Sequence, residues 1–489
     1  MPSRERISNV DTAWLRMDRP SNLMQIVGVL LFEGQLDYER LRASIERRML
    51  GFRRFRQVAV AEGAGYVWQD DPDFDLDHHL HREVLPVPAG KVELQHFVAD
   101  LAATPLNPSR PLWEMHLVDT ALGGQALIMR IHHSIADGIA LVGVILSMTE
   151  TSPGVAGAHP PKRVAVQDED DGVEEDDLFW DAIWRPMTDA MLTSVRVSTN
   201  LWARYVDLLS NPAKVLDYTR IATSIAGEIA KLATMPDDSP TCFKGKPGVA
   251  KRVAWSEPMS LPEVKAVGKV LGCSVNDMLL SAAAGALRAY LVERGDAVDD
   301  VEIRALVPVN MRRPQDAGTL GNRFGLVALE LPVGIENPLA RLYATRERME
   351  KLKGSYQAAL TLSILGVVGM APRFAQQQVL DLLASKATAV MTNVPGPQTA
   401  LYLAGARLCQ PLFWVPQSGD IGMGVSILSY DGKVQFGLIT DKGLVPDPEH
   451  IVERFASEFD KLLMLVLMEP WDRLVDPEAV EAGLACADA

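Results

Sequence analysis

Two hydrophobic periods alternate along this chain. Ile26 to Phe32 is a continuous apolar run of strand length and predicts a buried strand. From Tyr38 to Met49, Leu41, Ile45 and Met49 recur every four residues among charged neighbours, which predicts an amphipathic helix. Ala126 to His133 is again dense in apolar residues and follows Gly123-Gly124, so it reads as a strand after a turn. Ile139 to Met148 is apolar apart from Ser147 and predicts a helix. Residues 178–235 carry a helical pattern with three tryptophans (Trp180, Trp184 and Trp202) and few turn signals. Further on, Ser260-Leu261-Pro262-Glu263 has the capping serine and the acid three residues later that start a helix. A second helix is predicted from Ser274 to Val292, and strands over Val301–Val307 and Gly325–Leu331.

These elements predict an α/β (α+β) chain in two halves of similar size. One half spans residues 1–150 and the other 246–475, with a connection over 151–245 and a tail at 476–489. The connection opens with a stretch rich in Gly, Pro and Ala from Thr151 to Pro161. Two acidic runs follow, Asp168 to Asp171 and Glu174 to Asp177. Such a segment reads as a flexible, solvated linker. Solubility and docking of a basic partner both fit the acids.

Composition sharpens the picture. With 489 residues, 48% hydrophobic and 23% charged, the chain is globular and large enough for a sizeable core. A net charge of −15 argues against nucleic acid as the main partner, because phosphate binding needs a broad basic face. Cys242, Cys273, Cys409 and Cys486 are far apart, so neither a zinc ribbon nor a redox pair is expected, and a reducing cytoplasm fits. The opening Met1 to Arg6 has no apolar signal core, so secretion is not expected. The longest apolar stretch, Ala358 to Ala371, is broken by Thr361, Ser363, Gly366 and Gly369. It falls short of the roughly 18–20 residues a bilayer requires. The expected location is cytoplasmic, soluble or peripheral to a membrane.

The chemistry concentrates in Ala126 to Met148. On a strand, successive side chains face opposite ways. Leu127, Met129, Ile131 and His133 therefore share one face, and Ala126, Ile128, Arg130 and His132 the other. The two adjacent histidines do different jobs and do not form one metal site. A histidine at the end of a buried strand is well placed as a general base, since neutral imidazole can take a hydroxyl proton near pH 7. Asp137-Gly138 follows as a turn. Gly138 permits close approach of a ligand, and Asp137 can hold the loop by pairing with an arginine of the other half. Two ordinary core histidines remain the plain alternative.

His132-His133-x-x-x-Asp137-Gly138 is similar to the hallmark of acyl-CoA-dependent acyltransferases that resemble chloramphenicol acetyltransferase. More of the chain narrows the resemblance. Ser8, Asp11 and Trp14 before Met24 to Gly28, then Pro111-Leu112-Trp113, Ser274-Val275-Asn276-Asp277, Pro308 to Arg312 with Gly321-Asn322, and Asn393 to Pro397 follow in order. Together they resemble the bacterial wax ester synthase/diacylglycerol acyltransferase family nearly end to end. Two departures stand out: the acidic insert at 166–177, and Asn310 where serine is expected.

The resemblance implies two chloramphenicol acetyltransferase-like domains, each a mixed sheet flanked by helices, with an active-site tunnel between them. It implies transfer of a long-chain acyl group from acyl-CoA to a long-chain alcohol or to diacylglycerol, at an inner-membrane or lipid-droplet surface; the alternatives are an acyltransferase of the same superfamily acting on another acceptor, or a non-catalytic lipid-droplet-binding relative. His133 is then the expected base. His132 and Asp137 support it, and Asn276 is the candidate oxyanion donor, with a plain helix cap as its other reading. Gly138, Trp113 and Asn310 are the candidate substrate-facing positions, although for Trp113 core filling is the better reading and tunnel lining the alternative. No cofactor is expected beyond acyl-CoA as substrate, and no metal. His78, His79 and His81 cluster, but adjacent ones face apart, and surface positions are expected. Arg47, Arg48, Arg53, Arg54 and Arg56, interleaved with Leu50, Phe52 and Phe55, fit either anionic headgroups and CoA phosphates or a solvated helix end.

Overall fold

The structure is a computed structural model that describes residues 4–63, 65–152, 236–311, 320–353, 378, 381–382 and 384–468. Most of the expected linker, the 178–235 helical segment, Arg312, the Ala358–Ala371 stretch and the 476–489 tail lie outside these residues.

The first half contains β1 (Glu5–Arg6), α1 (Asn9–Met17), β2 (Gln25–Glu33), α2 (Tyr38–Ser44), β3 (Gln57–Glu62) and β4 (Gly65–Asp70). It continues through β5 (Leu80–Val84), α3 (Lys91–Ala102), β6 (Trp113–Asp119), β7 (Gly124–His132) and α4 (Gly138–Met148). The predicted Tyr38–Met49 helix is realised as α2 running into a wider turn over Ile45–Met49. The Gly123-Gly124 turn is required: Gly123 takes φ +92°, and a Cβ on Gly124 would collide with the Phe32 carbonyl.

The second half contains β8 (Lys251–Trp255), β9 (Met259–Ser260), α5 (Leu261–Leu271), α6 (Val275–Arg294), β10 (Ile303–Asn310), β11 (Phe324–Leu331) and α7 (Pro338–Lys353). After it come β12 (Ala389–Pro395), β13 (Tyr402–Leu403), β14 (Ala406–Trp414), β15 (Met423–Tyr430), β16 (Lys433–Asp441) and α8 (Glu449–Met468). Ser260 and Ser274 cap α5 and α6, each accepting from the backbone N–H three residues on. Both helices end at a glycine in the left-handed region, Gly272 and Gly295.

Among the described residues the strands form three sheets. A small one joins β1, β4 and β3. One six-stranded mixed sheet runs β13-β14-β2-β7-β6-β5, and a seven-stranded mixed sheet runs β11-β10-β12-β15-β16-β8, with β9 also on β16. The division at residues 150 and 246 therefore does not separate the sheets. β13 and β14 come late in the chain but complete the first half's sheet, β14 pairing antiparallel with β2 from Arg407↔Glu33 to Trp414↔Val27. One apolar layer, containing Val27, Ile128, Val253, Trp255, Leu412 and Trp414, draws on both halves. Polar pins reinforce it: Asn22 donates to the carbonyls of Gly419 and Ile421, and Lys251 donates to the Ser21 carbonyl and Asn22 Oδ1. The second half's core surrounds α6, whose Leu279, Ala283, Ala286 and Tyr290 are buried.

Candidate active site

β7 delivers the histidine pair. Its Ile131 and His132 pair with Ile26 and Gln25 of β2, so the ladder ends at His132 and His133 is the first residue beyond it. The His133 amide still donates to the Met24 carbonyl at 2.7 Å, which keeps that residue extended and its ring opposite to that of His132. The core follows the predicted alternation: Leu127, Met129 and Ile131 pack on one side of the sheet, Ala126 and Ile128 on the other.

The two rings meet different surroundings. His132 is buried, its Nδ1 2.8 Å from Ser134 Oγ and its Nε2 3.3 Å from Asp18 Oδ2. It borders a cavity of about 160 Å³ with a mixed polar and apolar lining that includes Asp18, Gln25 and Tyr66. His133 borders a different cavity, a mainly apolar chamber of about 240 Å³ between the halves. Asp137, Gly138 and Trp14 contribute to the chamber from the first half; Asn310, Phe324 and Asn393 do so from the second.

His133 is fully enclosed, and Trp14 stacks on it with ring centroids 4.2 Å apart and planes 14° apart. Phe324 lies 5.4 Å away, centroid to centroid. Burial pushes the imidazole pKa down to about 4, opposed chiefly by the Asp137 carboxylate. The ring is therefore neutral at physiological pH, with a lone pair free to accept a proton.

Asp137 and Gly138 form a helix start. Asp137 caps α4, one oxygen accepting from the Ala140 amide at 3.0 Å. Its other oxygen accepts from the Arg323 backbone amide at 2.9 Å, so the expected tie to the other half exists and runs through an arginine's main chain. Gly138 opens α4 beside a second cavity of about 70 Å³, lined almost wholly by hydrocarbon and proline or glycine backbone. Gly138, Val394 and Phe413 border both spaces, which makes them neighbours. A Cβ on Gly138 would meet only Val415, at 3.9 Å.

The remaining expected residues divide. Asn310, at the end of β10, lines the chamber. Asn276 is not among the chamber-lining residues. It sits in the first turn of α6, where Ser274 and Asp277 already form the capping box, so the plain-cap reading falls to Ser274. The Asn276 side-chain oxygen instead accepts from Asn393 Nδ2, and Asn393 does line the chamber. Trp113 is core, not substrate wall: it has no exposure, stacks on His79 at 4.5 Å and donates from Nε1 to the Phe55 carbonyl.

Other clusters also resolve. His79 is buried against Trp113 and Phe74, contrary to the expected surface position, because its Nδ1 bonds the Trp113 carbonyl at 2.7 Å. Two arginines of the cluster, Arg53 and Arg54, are ion-paired within the protein. Arg53 binds Asp70, and Arg54 binds Glu5 and lies over Trp68, while Phe55 and Leu50 turn into the core. The donor atoms of His81, Glu114 and His116 lie within 4.8 Å of one another, but Arg130 already donates to Glu114, so a guanidinium occupies that corner.

Sequence reasoning missed roles for Trp14, Asp11, Asn322 and Asn393. Asp11 and Trp14 lie three apart on α1 and so share a face, a signal that was present in the pattern. Asn322 Nδ2 donates to Asp11 Oδ1 at 2.7 Å and to the His133 carbonyl at 2.6 Å.

The fold is thus two mixed sheets flanked by helices, with a chamber between the halves onto which His133 faces. Solved structures share it. The starter condensation domain of rhizomide synthetase in complex with C8-CoA matches with a TM-score of 0.54 at 13% identity, over 94% of this chain and 95% of that one. The wax ester synthase/diacylglycerol acyltransferase from Marinobacter aquaeolei VT8 matches with a TM-score of 0.65 at 21% identity, over 94% and 99%. The family profile of the wax ester synthase/diacylglycerol acyltransferase catalytic domain matches residues 7–279, and that of the C-terminal domain of the same family matches 320–463. The chain belongs to the wax ester synthase/diacylglycerol acyltransferase family, and it is an acyltransferase. Curated relatives include the putative diacylglycerol O-acyltransferase Rv1760 of Mycobacterium tuberculosis, 26% identical over 94% of this chain and 90% of its own length. The probable diacylglycerol O-acyltransferase tgs1 of the same organism is also 26% identical, over 94% and 96%.

Proposed function

We propose that this chain transfers a long-chain acyl group from acyl-CoA to a long-chain alcohol or diacylglycerol in the chamber between its halves, with His133 as the general base. The observation that carries the reading is the His133 ring, neutral and enclosed, facing a mainly apolar space that adjoins a second apolar cavity through Gly138. His133 takes the hydroxyl proton as the alcohol oxygen attacks the thioester carbonyl. The tetrahedral oxyanion then collapses, the C–S bond breaks, and the imidazolium returns its proton to the departing CoA sulfur. Asp137 stabilises the transient positive charge.

The oxyanion donor in this reading is the side-chain amide of Asn393, oriented by Asn276, because a neutral amide donates without changing charge. The second apolar cavity, bordered along α4 by Leu141, Ile145 and Leu146, takes the hydrocarbon tail of one substrate.

The same proposal places the enzyme at a membrane or lipid-droplet surface on the cytoplasmic side, since its acceptors reside there. Among the described residues no single helix is long and apolar enough to cross a bilayer. Val84 and Val87 are almost fully exposed, and the Ala121–Ala89 hydrogen bond brings the turn bearing exposed Leu122 beside them, which supports a peripheral contact.

The test is release of free CoA thiol from palmitoyl-CoA by the purified protein, with hexadecanol or diacylglycerol added in turn. Acceptor-dependent release that disappears in His133→Ala supports the reading. Release by His133→Ala near the original rate removes His133 as base, and release with neither acceptor removes the lipid assignment.

A further inference from the structure

The His133 carbonyl poses a problem that the fold solves in an unusual place. The β7 ladder ends at His132, so the carbonyl of His133 has left the sheet, yet it is buried. A buried carbonyl without a donor is costly. Its donor is Asn322, which belongs to the other half of the molecule and lies just before β11. Gly321, Asn322 and Arg323 run alongside the whole turn: Ala136 bridges to Gly321, Asn322 holds His133, and the Arg323 amide holds Asp137.

Asn322 is itself held. Its second contact is the carboxylate of Asp11, on α1, only 7% exposed. An acid at the third helical position after a serine cap commonly closes a capping box at the surface. Here it is inside the protein, where burial raises its pKa and removes the usual reward for placing a carboxylate there. One turn later the same helix supplies Trp14, the ring stacked on His133. Neither Asp11 nor Asn322 borders the chamber, so neither touches substrate.

We propose that Asp11 and Asn322 are positioning residues for the transfer: the Asp11 carboxylate orients the Asn322 amide, and that amide fixes the backbone of His133 and so the place of its ring. The inference rests on His133 being the base. It makes the geometry of that base depend on a contact that exists only when the two halves are docked.

The test exchanges the pair. Asp11→Asn combined with Asn322→Asp keeps both side-chain volumes and one hydrogen bond between them, but reverses its direction and removes the donor from the His133 carbonyl. In the palmitoyl-CoA and hexadecanol assay, a folded exchange variant should lose about thirtyfold or more in kcat with KM for acyl-CoA changed less than about threefold, since misplacement of a reacting group costs rate rather than binding. Asp11→Asn alone retains an acceptor for Asn322 and should lose less than about fivefold. A folded exchange variant with kcat within about fivefold of the parent, or a loss carried by KM, overturns the proposal.

If the exchange variant fails to fold, Asp11→Leu against Asp11→Asn decides. The leucine variant leaves Asn322 unheld and should fall about tenfold below the asparagine variant in kcat; equal rates overturn the proposal. His133→Ala is run alongside. An active His133→Ala removes the base and this inference with it, whereas an inactive His133→Ala beside an active exchange variant removes only the positioning role.

Discussion

Trp14 lies flat on His133, their ring centroids 4.2 Å apart and their planes 14° apart. The stack joins α1 to the residue after β7 and covers one face of an imidazole that also borders the chamber. Trp14 Nε1 is buried with no hydrogen-bond partner among the described residues, so the indole N–H contributes nothing that phenylalanine would lose. Trp14→Phe should therefore change stability by less than about 1 kcal/mol and keep most of the turnover. Trp14→Ala should cost about 3–5 kcal/mol and lower kcat even under conditions where the variant is fully folded. Urea unfolding and CoA release, measured on the same samples, check both. Equal kcat in the folded alanine variant would mean that the stack does not place the ring.

A second prediction follows from the buried imidazole. In the folded chain its pKa is about 4, against about 6.5 for an unfolded histidine. Between those values the unfolded chain binds a proton that the folded chain does not. This group therefore destabilises the fold as pH falls from about 6.5 to 4, by roughly 3 kcal/mol in total, and contributes no slope above 6.5. His133→Gln removes the group, so the difference in unfolding free energy between parent and variant should show that slope. A parallel pair of stability curves would place His133 in contact with water.

Much of the site was legible because strand period is rigid. His132 and His133 had to face apart, and they border separate cavities. Long-range partners were not legible. Asp11 and Asn322 are 311 positions apart, and no local pattern joins them. β14 is not singled out in the sequence, and nothing in its residues says that it completes the first half's sheet. The arginine segment read two ways because Asp70 and Glu5, which pair with Arg53 and Arg54, lie in other elements. For Trp113 the sequence favoured core over a substrate wall, and the buried ring, whose N–H finds the Phe55 carbonyl, is core.

Gly285 offers a stability prediction with an unexpected sign. It lies within α6, where alanine normally stabilises a helix by about 1 kcal/mol over glycine. Here the buried pair Arg341–Glu458 lies against it, and an added Cβ would overlap both partners. The pair would have to part or shift, and breaking a buried ion pair costs about 3–5 kcal/mol. Gly285→Ala should lower the melting temperature by several degrees in calorimetry. An unchanged or raised melting temperature would show that α7 and α8, which carry the two partners, can move apart at little cost.

The apolar cavity beside Gly138 yields a test of substrate placement that leaves the chemistry untouched. Leu146 borders this cavity and not the chamber, eight residues along α4 from Gly138. At 1.5 Å per residue that is about 12 Å from the junction. Leu146→Trp would fill the distal end while His133, Asp137 and Gly138 stay as they are. Each methylene denied burial costs about 0.8 kcal/mol, so two or three excluded methylenes amount to roughly tenfold or more in kcat/KM. If the acyl tail runs along α4, kcat/KM for palmitoyl-CoA should fall by about that factor while octanoyl-CoA is scarcely affected. Hexadecanol should show the same loss against octanol if the alcohol tail occupies the space instead. The two competition series thus assign the cavity to one substrate, and an equal fall for short and long chains in both would mean that neither tail extends along α4.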